Sequence, residues 1–161
     1  FFKQKTAYEI KECDWSSDVC SSDLFPIQLG NLDAKRDWGH AKDFVEGMWL
    51  MLQQDEPDDY VLATGVEYSI REFLDMSLNW FKCSWMYLGS KENEYVIDMN
   101  SKQTIVQVNP EFYRPAEVNS LLGDASKARS KLGWEPKYDI EALIRDMLEA
   151  DTKRVGWEHP W

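Results

Sequence analysis

Four adjacent residues, Arg36-Asp37-Trp38-Gly39, set a guanidinium, a carboxylate, an indole and a backbone-permissive glycine side by side. A forked cation beside a large aromatic suits capture of an anionic, planar ligand. The plainer alternative is that Arg36 pairs with Asp37 or another surface carboxylate while Trp38 enters the core, and spacing alone favours it. A second cluster, Phe112-Tyr113-Arg114-Pro115-Ala116-Glu117, carries another arginine. Pro115 removes a donor and drives Arg114 toward an extended backbone, which stiffens how its side chain is presented. Arg114 and Glu117 could equally form an ion pair near a helix start.

The elements that must hold these residues are legible from periodicity. Phe44, Val45, Met48, Trp49 and Leu52 recur at three- and four-residue steps, which predicts a helix over about 41–53 with that face buried. Its N-terminus would fix the Arg36–Gly39 loop. Short extended pieces are expected at 27–29 and 36–38, flanking a turn at Asn31-Leu-Asp-Ala. Pro57, among acids, ends the helix. The continuous apolar run Tyr60-Val-Leu-Ala-Thr-Gly65 reads as a strand buried on both faces of a parallel sheet. Ser69-Ile-Arg-Glu72 is a capping box, with Tyr68 and Phe73 placed as a hydrophobic staple, so a helix should begin at Ile70 and bury Ile70, Phe73, Leu74, Leu78 and Phe81. Strands are expected at 85–88, 95–98 and 104–108, with a turn at Lys91-Glu-Asn-Glu. Asp124 and Gly133 are placed to cap a short helix at its two ends. The last helix, from Asp139 to about Lys153, carries Ile140, Leu143, Ile144, Met147 and Leu148 on one face.

Residues 1–24 read differently, with no sustained period and a near-repeat of Ser-Ser-Asp-Val as Ser-Ser-Asp-Leu. They resemble conceptually translated sequencing-adaptor sequence, and are expected to be a non-native, disordered leader that packs into no core. Charged residues Lys3, Lys5, Glu9, Lys11 and Glu12 leave no apolar segment for a secretory signal. Setting the leader aside removes Cys13 and Cys20, so Cys83 remains alone and no disulfide framework is left. A reducing, cytoplasmic setting is expected. The whole chain has a net charge of −11, and −9 without the leader, which argues against nucleic acid or an anionic membrane as partner. Residues 25–161 suffice for one core.

The run NLDAKRDWGHAKDFVEGMWLMLQQDEPDDYVLATG, with FYRPAEV at 112–118 and GDASKARSKLGWEP at 123–136, closely resembles the C-terminal part of the GDP-mannose 4,6-dehydratases, which are extended short-chain dehydrogenases/reductases. Arg-Asp-Trp before a helix and the Asp-x-x-Lys-Ala…Leu-Gly-Trp pattern recur across nucleotide-sugar epimerases and dehydratases. The longer Gly-Asn-Leu-Asp-Ala-Lys-Arg-Asp-Trp-Gly-His-Ala run and Arg-Pro-Ala-Glu-Val point to the GDP-mannose branch. The resemblance implies an α/β fold: the late part of a Rossmann-type sheet plus a small substrate-binding subdomain, with the N-terminal Rossmann half missing.

That resemblance also implies a lyase reaction. Hydride passes from the hexose C4 to NADP⁺, water is lost across C5 and C6, and hydride returns to C6, giving GDP-4-keto-6-deoxymannose. By resemblance, Arg114 would grip the diphosphate of GDP-mannose, and because a diphosphate needs concentrated positive charge, Arg36 is expected to converge on it from the same cleft, the two guanidinium groups within roughly 10 Å. Glu117 would contact sugar or ribose hydroxyls, and Asn31 completes the implied substrate-binding set. NADP is expected in the full-length enzyme and not on this chain alone, and the full-length enzyme is expected to be a homo-oligomer. No G-x-G-x-x-G, H-E-x-x-H, C-x-x-C or G-x-S-x-G occurs, and neither Tyr95 nor Tyr113 has a lysine four residues on. By resemblance the catalytic tyrosine and lysine and the glycine-rich phosphate loop lie upstream of this stretch, so no catalytic, cofactor or metal-ligating residue is assigned, and the chain by itself is expected to be inactive. A GDP-sugar reductase, a UDP-sugar epimerase and a non-catalytic interaction domain are the alternatives.

Overall fold

A computed structural model describes residues 26–114 and 120–156. The leader, Glu117 and the tail after Gly156 fall outside them. Among the described residues, six strands form two sheets, and four α-helices and one 3₁₀ turn accompany them. Strand β1 (Ile27–Leu29) leads through the Asn31–Ala34 turn into β2 (Lys35–Asp37) and helix α1 (Ala41–Leu52). Strand β3 (Glu67–Ser69) runs directly into α2 (Ile70–Trp80). Strands β4 (Trp85–Leu88), β5 (Tyr95–Asp98) and β6 (Thr104–Val108) follow, with a 3₁₀ turn at Lys91–Asn93, and α3 (Ser126–Leu132) and α4 (Ile140–Arg154) close the chain.

The larger sheet has the order β1-β6-β5-β4. Strand β1 lies parallel to β6, Ile27 opposite Val106, while β4, β5 and β6 form an antiparallel meander. The stretch 80–108 thus supplies three of its four strands. Their alternation puts Val96, Val106 and Val108 inside, each nearly inaccessible to solvent. The smaller sheet is a two-stranded antiparallel ribbon of β2 and β3, with Arg36 opposite Tyr68 and Asp37 opposite Glu67.

The helix caps follow the sequence reading closely. Ser69 Oγ accepts from the Glu72 amide while Glu72 accepts from the Ser69 amide, which completes the capping box. Asp139 caps α4 through the Ala142 amide. The αL backbone expected at the end of α3 belongs to Gly133, at φ 64°. Asp124 sits one residue further out than expected: Ala125 holds the cap position of α3, and the Asp124 carboxylate accepts from the Ser126 amide.

Three further expectations fail. The α2 stripe of Ile70, Phe73, Leu74, Leu78 and Phe81 is only half-buried, with no residue of the helix fully buried. Residues 60–64 pair with no strand among the described residues. A buried strand needs a ladder on each side, whereas here Leu62 packs against Gly47 of α1 and Ala63 against Gly123 through side chains, no strand pairs with the run among the described residues, and Val61 stays 53% exposed. The apolar face assigned to α1 is also the wrong one. Val45, Met48, Trp49 and Leu52 are exposed, and the helix instead buries Asp43 and Gly47 with Phe44 and Leu50 beside them. A helix apolar on more than one side offers the sequence no basis for choosing which side docks. Helix α1 packs on α3, where Ala63, Ala125, Ala128 and Trp134 form a core, and α2 packs on α4.

Candidate functional site

The site is built where the Asn31–Trp38 stretch meets three other pieces of chain. Leu32 and Ala34 are buried, and their carbonyls accept from Arg71 and Ile70, the first amides of α2. Helix-start amides have no partner within their own helix, so the turn satisfies them and is itself fixed. Asn31 Oδ1 accepts from the Asp33 amide, closing an Asx turn. Asn31 therefore stands at the entry of a turn held from both backbone and side chain.

Just upstream, Gly30 meets the segment that carries Arg114. A Cβ on Gly30 would lie 2.6 Å from the Phe112 carbonyl oxygen, so only glycine permits this approach. The Asn109 amide donates to the Leu29 carbonyl, and Asn109 Nδ2 to Gln28 Oε1 at 2.6 Å. Thus the turn bearing Asn31 and the segment leading to the exposed Arg114 are stitched together at their bases. At the other end of the 115–119 stretch, Ser120 Oγ donates to Glu67 Oε1 of the ribbon at 2.6 Å. Glu117 itself lies outside the described residues.

Arg36 projects from the ribbon. Cross-strand partners in an antiparallel pair share a face, so Arg36 and Tyr68 point the same way. Tyr68 and Trp38 line a concavity of about 260 Å³ together with Pro136, Lys137, Tyr138 and Ile140, and Arg36 is not among its lining residues. The Arg36 guanidinium donates through Nη1 to the Lys35 carbonyl. Its neighbour Asp37 is engaged elsewhere: Oδ1 accepts from the Thr64 amide and hydroxyl, and Oδ2 from the Gly65 amide. Trp38 Nε1 donates to the Tyr68 carbonyl, and its ring packs 4.7 Å from Phe73, a partly buried aromatic anchor for the loop.

His40 caps α1, where Nδ1 accepts from the Lys42 amide. A neutral ring so engaged carries its proton on Nε2, which faces Asp146 at 3.1 Å, and Tyr138 stacks on the ring. The Asp146 carboxyl is held below its usual range by hydrogen bonds from Lys42 and then from His40. Asp43 is buried beneath; Oδ2 accepts from the Lys137 and Tyr138 amides, and its backbone carbonyl from Trp134 Nε1. These contacts lock the 134–138 stretch against the start of α1.

Sequence reasoning missed Asp37, Asp43 and Arg71 as organisers of this region. Arg71 joins Asp33, 38 residues before it, to Glu94, 23 residues after it, and no short motif encodes such a separation. Arg71 is held more firmly protonated by Glu94, against the opposing effect of burial, with Asp33 adding to it. Among the described residues no group of His, Cys, Asp or Glu is gathered to hold a metal ion, and no helix is long and apolar enough to cross a membrane.

Comparison with known proteins fits this geometry to a family. A GDP-mannose 4,6 dehydratase family model matches residues 17–147. Over 127 residues the chain is 50% identical to a GDP-mannose 4,6 dehydratase of Cricetulus griseus, covering 79% of this chain and 34% of that protein. A Vibrio cholerae GDP-mannose 4,6-dehydratase is 44% identical over 137 residues, covering 79% and 37%. Among solved structures, RMD from Pseudomonas aeruginosa complexed with NADPH aligns at a TM-score of 0.60 and 19% identity, over 81% of this chain and 37% of that one. A UDP-glucose 4-epimerase from Bifidobacterium longum in complex with NAD⁺ and UDP aligns at 0.60 and 20% identity, over 85% and 38%. These structural likenesses establish the fold, a part of an extended Rossmann-type α/β architecture. The chain spans about a third of the length of the curated relatives it matches, and it belongs to the GDP-mannose 4,6 dehydratase family.

Proposed function

We propose that this chain is the nucleotide-sugar-binding portion of a GDP-mannose 4,6-dehydratase, the lyase that converts GDP-mannose to GDP-4-keto-6-deoxymannose. Arg36 and Arg114 hold the diphosphate, Glu117 the sugar or ribose hydroxyls, and Asn31 completes the set. The single observation that carries the reading is the seam at Gly30 and Phe112, which brings together two arginine-bearing pieces separated by more than 70 residues. A diphosphate presents about two negative charges within a few ångströms, and an acidic protein must supply local positive charge to receive it.

In this proposal the full-length enzyme would bind NADP, which would supply the hydride chemistry. The sequence has no glycine-rich G-x-G-x-x-G loop, and the Gly65 amide is taken by Asp37 and not presented to a pyrophosphate. No step is therefore assigned to the dinucleotide on this chain, which alone is inactive. In the full-length enzyme we place it in a cytoplasmic homo-oligomer.

Titration of the 161-residue chain with GDP-mannose, followed by its tryptophan fluorescence, tests the reading. Saturable quenching, with UDP-glucose at least about tenfold weaker, is expected. No response to GDP-mannose, or equal affinity for UDP-glucose, would contradict it.

A further inference from the structure

Arg71 is the centre of a clamp that the proposed site does not itself include. Its Nε and Nη2 donate to Asp33 Oδ1 at 3.0 and 2.8 Å, and Nη1 and Nη2 donate to the two Glu94 oxygens at 2.6 and 3.0 Å. The guanidinium lies over the Tyr87 ring, 4.7 Å from its centroid. Tyr87 in turn donates its hydroxyl to Asp75 Oδ1, which also takes the Trp85 indole N–H. One end of the clamp is anchored in the body of the fold: the Glu94 side chain is only 10% exposed and Arg71 is 26% exposed. The other end is Asp33, whose side chain is 73% exposed and stands in the turn between Asn31 and β2.

The two halves of this arrangement do different things. Arg71 and Glu94 form a largely buried pair, and a nearly buried carboxylate requires a cation for its own sake. Asp33 has no such requirement, because water would solvate it. What the Asp33 contact adds is position. The turn is already joined to α2 by the Leu32 and Ala34 carbonyls on the Arg71 and Ile70 amides, and the side-chain bond fixes its remaining outer edge. Three residues after Asp33 comes Arg36, whose backbone is set by the same turn on one side and by the ladder to Tyr68 on the other.

We propose that Arg71 is a positioning residue: by gripping Asp33 from the Glu94 anchor it holds the Asn31–Ala34 turn, and with it Arg36, in register to receive the diphosphate of a nucleotide sugar. This rests on the reading of Arg36 as a diphosphate ligand. A planar fork is needed because one side chain must address two carboxylates at once, which an ammonium does with poorer geometry.

The test uses the full chain and leaves the buried pair intact. Asp33→Asn removes the charged grip on the turn while Arg71 and Glu94 remain paired. GDP affinity is measured calorimetrically for wild type, Asp33→Asn, Arg36→Ala and the double variant, with amide hydrogen exchange followed at Ile70 and Arg71. The expected results are about tenfold weaker GDP binding in Asp33→Asn, faster exchange at those two amides, an unchanged melting temperature, and no further loss from Asp33→Asn once Arg36 is alanine. Arg71→Lys, which loosens the Glu94 pair as well as the Asp33 grip, should weaken GDP binding, speed exchange at the same amides and also lower the melting temperature. GDP binding within twofold of wild type, losses that simply multiply in the double variant, or a variant that fails to fold would each overturn the inference and leave the proposed function standing. A wild-type chain that binds no GDP would overturn both.

Discussion

Asp37 accepts both polar hydrogens of Thr64, its amide at 3.0 Å and its hydroxyl at 2.6 Å, so the carboxylate beside Arg36 is engaged across the fold. It fastens the end of β2 to the Thr64–Gly65 bend, and Arg129 supports the same bend through the Thr64 carbonyl. Asp37 therefore acts as a staple between the ribbon and the 60–65 run. Replacing it with alanine takes the acceptor from two backbone amides, while the Thr64 hydroxyl keeps the Val66 carbonyl, and should cost about 1.5–3 kcal/mol in urea unfolding. Asparagine should restore part of that loss, since one of its atoms remains an acceptor. An alanine variant as stable as wild type would remove this role.

Asp43 carries a comparable load in a drier setting. It is 2% exposed, and its Oδ1 has no hydrogen-bond partner among the described residues while Oδ2 holds two amides. Asp43→Ala should lower stability by about 1–3 kcal/mol and loosen the 134–138 stretch, because the Lys137 and Tyr138 amides lose their acceptor. Near-ultraviolet circular dichroism should register this as an altered Trp134 signal. An unaltered signal together with unaltered stability would contradict the assignment.

Acid sensitivity should be traceable to named carboxylates. Asp58 takes hydrogen bonds from Lys127 and Lys131, and its pKa is lowered to about 2, led by the Lys127 contact. A carboxylate depressed in the folded state binds its proton more readily in the unfolded chain. Its contribution is therefore present above the unfolded value near 3.8 and is lost as pH falls toward about 2. Melting temperatures recorded from pH 5 to pH 2 should fall less steeply in Asp58→Asn than in wild type. Identical slopes would mean that solvent screening removes the effect.

The exposed side of α1 makes a prediction about behaviour in solution. Val45, Met48, Trp49 and Leu52 are 57–81% exposed along one helix, an apolar stripe that favours association. Met48→Glu with Trp49→Lys should reduce light scattering at high concentration without lowering the melting temperature. A lowered melting temperature would show that the stripe is packed in solution.

How far the sequence reached depends on how local each signal is. The capping box at Ser69 and Glu72, the αL glycine at Gly133 and the strands at 85–88, 95–98 and 104–108 rest on neighbours within a few residues, and all were legible. The docking face of α1 and the pairing of 60–64 depend on what lies alongside them, which no local pattern specifies. The site divides in the same way. Arg36 and Arg114 stand out by type and by resemblance, whereas the Asp33–Arg71–Glu94 clamp and the Asp37–Thr64 staple join residues 23 to 38 apart and left no motif to read.

The central claim is that Arg36 and Arg114 meet one diphosphate, and GDP against GMP is its most direct measure. Titration calorimetry of the full chain and of Arg36→Ala and Arg114→Ala should show each substitution weakening GDP by about 1.5–3 kcal/mol, with a clearly smaller loss for GMP, which lacks the second phosphate. Losses of equal size for GDP and GMP, or GDP binding that survives either substitution unchanged, would contradict the account.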